Sequence, residues 1–198
     1  HRYTFPKGQD KKVMVDVGHI LQPGWGHRNV KNEIEFVDNK TIRGTKLSKG
    51  WAFDHRIYFY MEFSSPYTVE STISDDQSSE GKKVSGTDVR SYLNFGGDDA
   101  QVLVKVSISA VSVDGAEKNL KAEVPDWGFD QVRAAAESTW NKELSKIKVE
   151  SKDKNLLTNF YTALYHSMMA PQLYQDVDGQ YLGMDLEVHQ TEEFNNYT

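Results

Sequence analysis

The sequence contains no cysteine. That removes disulfides, thiolate metal sites and a cysteine nucleophile, while leaving the compartment open. No uninterrupted apolar run reaches the roughly 18 residues that a membrane-spanning helix needs. Basic charge is not in surplus either: 23 Lys and Arg stand against 29 Asp and Glu, a formal net charge of -6. Nucleic acid as the main partner is excluded on that ground, because phosphate binding needs a concentrated basic surface. The chain also lacks a Gly-rich phosphate loop, a Gly-x-Ser-x-Gly elbow and a zinc signature. The opening His1-Arg2-Tyr3-Thr4-Phe5-Pro6 has no apolar signal-peptide region, and a strand-like pattern begins at once. It reads as a cut in a longer chain, as does the closing Phe194-Asn195-Asn196-Tyr197-Thr198, which has neither a helix cap nor a polar tail.

What is present suffices for a core. Of 198 residues, 38% are hydrophobic and 26% charged, a balance of folded rather than disordered chains. Up to about residue 125 the pattern has period two. Val102, Val104, Val106, Ile108 and Ala110 alternate with polar neighbours, and Ile57, Phe59, Met61 and Phe63 alternate with Tyr58, Tyr60 and Glu62. Further strands are predicted around Val89 to Phe95 and Val13 to Val17, with weaker ones over 68–74 and 34–37. Turn signals stand at Asp38-Asn39, Ser65-Pro66, Gly96-Gly97-Asp98-Asp99 and Asp114-Gly115. The polar stretch 74–86 reads as an exposed loop. Many short strands at this spacing predict an antiparallel β-sandwich.

Beyond Pro125 the period changes. Phe129, Val132, Ala136, Trp140, Leu144 and Ile147 recur at three and four, the stripe of a helix. A second helix is predicted from the cap Asp153 to before Pro171. It carries two adjacent apolar stripes, one through Leu156, Phe160, Leu164 and Met168, the other through Leu157, Tyr161 and Tyr165. A face that wide calls for partners on more than one side, as in a larger α-domain. Asp178-Gly179 is a hairpin signal between short extended runs.

The run Phe160-Tyr161-Thr162-Ala163-Leu164-Tyr165-His166, then Ala170-Pro171, Asp176-Val177-Asp178-Gly179-Gln180-Tyr181, Gly183-Met184-Asp185 and Val188-His189 resembles the entry to the catalytic domain of glycoside hydrolase family 92. Gly50-Trp51-Ala52, the strand from Ile57 to Phe63, Trp140-Asn141 and the first six residues resemble the same family, so the likeness covers nearly the whole chain. The resemblance implies an N-terminal β-sandwich, a helical linker and an (α/α)6 barrel: here a sandwich over 1–125, a linker helix over 126–150 and the start of the barrel over 151–198. It implies an enzyme that removes terminal α-linked mannose, α-1,2 by expectation, by calcium-dependent inversion. Its partners would be mannose-containing glycans and the rest of its own catalytic domain, and its location periplasmic or secreted. A Phe-Ser-Leu-Trp-Asp-like segment is expected after Thr198 and a Pro-Phe-Gly-like one before His1. The catalytic residues and calcium ligands are expected downstream, so none of either is assigned here. Leu186 departs from the family pattern, in which Gly is expected after Met184-Asp185.

Inverting hydrolysis needs two carboxyls roughly 6.5–9.5 Å apart. Asp176, Asp178, Asp185, Glu187, Glu192 and Glu193 supply carboxyls, yet charged turns are common on surfaces, and the resemblance places acid and base elsewhere. Asp185 and His189 are the better candidates for substrate contact, since a carboxylate and an imidazole near a barrel mouth can bond sugar hydroxyls. The bland alternative is that they satisfy local backbone groups. Asp176-Val177-Asp178-Gly179 is not an EF-hand loop, because its Gly comes two positions early. Trp25, in Gly24-Trp25-Gly26-His27, is the third substrate-binding candidate: an indole stacks on a pyranose, and loops carry function. It competes with a Trp tucked over a sheet edge. Trp51 reads more as core, and Trp140 and His166 as packed helix residues. His19, His55 and His166 have no metal-ligand spacing. A non-catalytic carbohydrate-binding sandwich remains the alternative function.

Overall fold

The computed structural model describes residues 1–198. The strands, in chain order, are β1 (Arg2–Thr4), β2 (Lys12–Asp16), β3 (Arg28–Phe36), β4 (Thr41–Lys49), β5 (His55–Phe63) and β6 (Tyr67–Ser74). They continue as β7 (Gln77–Ser79), β8 (Lys83–Gly86), β9 (Val89–Phe95) and β10 (Gln101–Ser109). Three helices follow, α1 (Val113–Glu123), α2 (Phe129–Leu144) and α3 (Lys154–Ser167), and then a short hairpin of β11 (Gln180–Leu182) and β12 (Val188–Gln190). The chain forms two compact units. One comprises residues 1–127 and 175–191, the other 128–174 and 192–198.

The first unit is built on a sandwich. One sheet runs β1-β10-β5-β4-β3-β8 and the other β2-β9-β6-β7, all pairs antiparallel. The predicted alternation fills the space between them: Ile34, Ile42, Phe63 and Val102 come from the larger sheet, Val89, Leu93 and Phe95 from the smaller, all essentially inaccessible. Each such side chain contributes about 1.5–3 kcal/mol by leaving water. The Tyr67 ring meets Phe63 edge-on at 5.4 Å, and its hydroxyl donates to the carbonyls of Asp38 (2.7 Å) and Thr41 (3.1 Å). Burial raises the pKa of that phenol, which keeps it a donor.

The other face of the larger sheet is covered by α1. Tyr60 packs there on Ala116 and Leu120, so β5 is covered on both faces, Phe59 and Phe63 into the sandwich and Tyr60 under the helix. Lys105 pairs with Glu62 at 2.9 Å and lies over the Trp127 ring, 4.5 Å from its centre, which fastens the chain after α1 to the sheet.

Several expectations are revised. Asp114-Gly115 is not a turn: it lies in the first turn of α1, whose cap Ser112 accepts from the Gly115 N–H at 2.9 Å. The stretch 74–86 is no plain loop but holds β7 and β8, the first reached through a tight turn with Asp75 and Asp76 at positive φ. Strand β4 was not visible in the pattern. Its Gly44 sits where a Cβ would lie 2.0 Å from the Glu33 carbonyl oxygen and 2.7 Å from the Phe59 ring, so the aromatic side chain covers a residue with nothing to contribute. On β10 the apolar face outruns the smaller sheet, leaving Val106 and Ile108 exposed.

In the second unit, α2 and α3 stand as predicted, α3 capped by Asp153, whose carboxylate accepts from the Asn155 N–H at 2.8 Å. They meet where Trp140 packs edge-on to Tyr165 at 4.6 Å. Trp140 is half-buried rather than core, and His166 is exposed. Neither helix has a fully buried residue: on the wide apolar face of α3, Leu157, Phe160, Tyr161, Leu164 and Tyr165 are half-buried and Leu156 and Met168 exposed.

Candidate functional site

Residues 175–191 belong to the sandwich unit despite following α3 in sequence, and a buried carboxylate holds them there. Asp176 retains 4% of its exposure. Its Oδ2 accepts from the Ser109 hydroxyl at 2.7 Å and its Oδ1 from the Asn119 amide at 2.8 Å. Asn119 also donates to the Ile108 carbonyl (3.0 Å), and its Oδ1 accepts from the Val177 N–H (2.9 Å). The Ser109 oxygen in turn accepts from the Val111 and Ser112 N–H groups. The end of β10, the start of α1 and the chain after Gln175 thus share one network. Gly115 makes room for it, since a Cβ there would stand 2.2 Å from Asp176 Oδ2.

From this anchor the chain makes two turns of the same design. In the first, the Asp176 N–H donates to the Gln180 carbonyl and the Gly179 N–H to the Asp176 carbonyl, with Gly179 at φ 81°. Asp178 pairs with Lys118 of α1 at 2.8 Å, which holds its carboxyl below the usual range. In the second, the Gly183 N–H donates to the Glu187 carbonyl and the Leu186 N–H to the Gly183 carbonyl, with Leu186 at φ 65°. Both are three-residue reversals ending in a left-handed residue. The Asp178-Gly179 turn signal is therefore genuine, but the strand pair, with Leu182 opposite Val188, lies one turn later.

The second turn presents two of the predicted site residues. The Asp185 oxygens lie 3.0 and 2.9 Å from His189 Nε2, and Tyr181 lies beside the imidazole with ring centres 5.6 Å apart. The Glu187 N–H, bonded to Asp185 at 3.1 Å, is the largest influence lowering the Asp185 pKa, followed by His189. Both side chains are exposed to solvent.

The third, Trp25, is on the loop before β3 and is 68% exposed. Trp51, read as core, is instead 80% exposed in the β4–β5 loop, its indole 6.2 Å from that of Trp25. Sequence reasoning missed this pairing because no local signal links two separate loops. Arg56, the second residue of β5, is gripped by Asp54 through bonds of 2.7 and 2.9 Å and also feels the charge of Glu187. No group of three or more His, Asp or Glu side chains converges to hold a metal ion.

The model of the glycosyl hydrolase family 92 N-terminal domain matches residues 1–109, and that of the glycosyl hydrolase family 92 catalytic domain matches residues 115–198. The chain belongs to family 92. The family 92 α-mannosidase BT3965 from Bacteroides thetaiotaomicron is 32% identical with a TM-score of 0.89, covering 100% of this chain and 27% of that one. It has also been solved in complex with mannoimidazole, with the same TM-score of 0.89. The family 92 inverting mannosidase BT2199 from Bacteroides thetaiotaomicron VPI-5482 shares the fold at 22% identity and a TM-score of 0.81, covering 100% of this chain and 26% of that one. An uncharacterized secreted glycosidase from Arthroderma benhamiae is 34% identical over 90 residues, 42% of this chain and 12% of that protein. The chain spans about a quarter of its solved relatives' length, 27% of BT3965.

Within the family 92 layout, Ser109 closes the N-terminal domain match and Asp176 lies in the catalytic one, so their bond ties the two matched regions together. In an ordinary helix Gly→Ala stabilises by about 1 kcal/mol. Here Gly115→Ala is expected to destabilise by about 2 kcal/mol, read as a fall in Tm of roughly 4–8 °C, because the methyl enters the Asp176 carboxylate. A rise in Tm would contradict the network. Conversely, Leu186→Gly supplies the residue its positive φ favours and is expected to gain about 0.5–1 kcal/mol, or roughly 1–4 °C; a loss would show that Leu186 packs more than it strains.

Proposed function

We propose that this chain forms part of an exo-acting α-mannosidase that removes terminal α-1,2-linked mannose from glycans by calcium-dependent inversion. The observation that carries the reading is the match of the whole chain to BT3965, a TM-score of 0.89 at 32% identity. The mannoimidazole complex of that protein supports a mannose-like ligand for the family site. In this reading the sandwich and the segment 151–198, the start of a helical catalytic barrel, belong to one enzyme.

The residues present fit a supporting role. Inversion needs one carboxyl held as acid and another that activates water on the opposite face of the sugar. Asp176 is committed to Ser109 and Asn119, Asp178 to Lys118, and Asp185 to His189. Acid, base and calcium ligands are taken to lie in the rest of the protein, as the family resemblance implies. Asp185 and His189 act as contacts to sugar hydroxyls: the carboxylate accepts, and the imidazole presents its ring beside Tyr181. When bound, calcium supplies a positive centre that polarises sugar oxygens. Export to the periplasm or cell surface suits a glycan-degrading enzyme, and the fungal relative is described as secreted.

The full-length protein should release mannose from α-1,2-mannobiose, with the β-anomer appearing first by NMR. A chelator should lower kcat/KM by roughly two orders of magnitude, restored by added calcium. Absence of mannose release sinks the assignment, the α-anomer sinks inversion, and indifference to chelator sinks the role of calcium.

A further inference from the structure

We propose that Trp25 and Trp51 form a platform that takes the apolar faces of pyranose rings in the α-mannoside chain beyond its terminal sugar. The inference rests on the mannosidase reading for the identity of the sugar, and goes beyond it in assigning a second contact surface.

Two neighbouring indoles in separate loops are both largely open to solvent, Trp25 at 68% and Trp51 at 80% exposure. Large apolar rings left in water are stabilised when something covers them. Their centres lie 6.2 Å apart at an interplanar angle of 31°, so the two exposed rings form one aromatic cluster. The surface is fixed by its supports. Trp25 closes a one-turn 3-10 helix, Pro23–Trp25, flanked by left-handed Gln22 and Gly26. Trp51 meets the His27 ring edge-on at 6.3 Å, and the His27 Nδ1 lies 3.0 Å from the Leu21 carbonyl oxygen. Gly50 admits that imidazole, because a Cβ there would stand 2.5 Å from its Cδ2. Rigid aromatic contacts bind at low entropic cost.

The chemistry around the rings selects a sugar over a protein face. Ser48, His55, Asp54 and Arg56 border the β4–β5 loop, with Ser48 Oγ 3.4 Å from His55 Nδ1 and Asp54 bonded to Arg56. A pyranose offers the matching pattern: C–H groups for the indoles, and hydroxyls around its rim for side-chain donors and acceptors. The apolar face of α3, by contrast, is a helical stripe of aliphatic and aromatic side chains, the pattern of a packing surface.

The test is affinity electrophoresis of the full-length protein in gels containing α-mannan, with mannobiose hydrolysis and Tm measured in parallel. Trp51→Ala and Trp25→Ala should each weaken mannan retardation by roughly three- to ten-fold. Phe53→Ala, still more exposed in the same loop but outside the ring pair, should bind as wild type. Unchanged retardation in Trp51→Ala overturns the platform, and so does an equal loss in Phe53→Ala. A fall in the Tm of Trp51→Ala with mannan affinity intact also overturns it and makes the surface a packing face. Should the wild type bind mannan through Trp51 yet release no mannose, the enzymatic reading fails and the platform stands. Should it release mannose while its mannan affinity ignores Trp51, only the platform fails.

Discussion

Burying a carboxylate costs several kcal/mol unless donors meet its oxygens, and Asp176 is buried with one donor on each. Those donors come from the end of β10 and the middle of α1. The network therefore fixes three things together: where α1 lies on the larger sheet, where the chain re-enters the sandwich unit after α3, and where the Asp185–His189 turn begins. Lys118–Asp178 adds a second tether from the same helix. That pair is largely solvated and screened, so the Asp176 network carries most of the attachment.

This arrangement gives the family 92 layout a physical basis. The two family models meet between Ser109 and Gly115, and the chain crosses that boundary through the turn that Ser109 itself organises. A segment of the catalytic region is thereby built onto the N-terminal domain instead of being merely connected to it. Sites placed where domains meet require their walls to hold position to a fraction of an ångström. A buried, fully partnered network does that better than exposed ion pairs.

Much of this was legible in the sequence, and the exceptions have physical reasons. Period two in Phe59, Met61 and Phe63 and in Val102 and Val104 located core strands, because a sheet with one face on a core imposes that alternation. Helices α2 and α3 were legible from their stripes and from Asp153. Helix α1 was not, because Asp114-Gly115 has turn chemistry; Gly115 is required by Asp176, a partner far off in sequence. Strand β4 was hidden by Gly44, whose place depends on the Phe59 ring. Asp185 and His189 were picked out by chemical type, and their mutual contact follows from a turn that ends on Leu186. The Trp25–Trp51 pair could not be read from the chain, since only the sheet brings the two loops together.

Amide hydrogen exchange on Asp176→Ala, compared with the unchanged protein, tests the central role of this carboxylate most directly. Loss of both charge-assisted bonds should speed exchange across 176–191 by about 100-fold or more, while β9 and β10 keep their protection. Unchanged exchange in that segment would show that the hairpin is held by something other than Asp176. Equal loss of protection in β9 and β10 would show that the network supports the whole sandwich and not the attachment of residues 176–191.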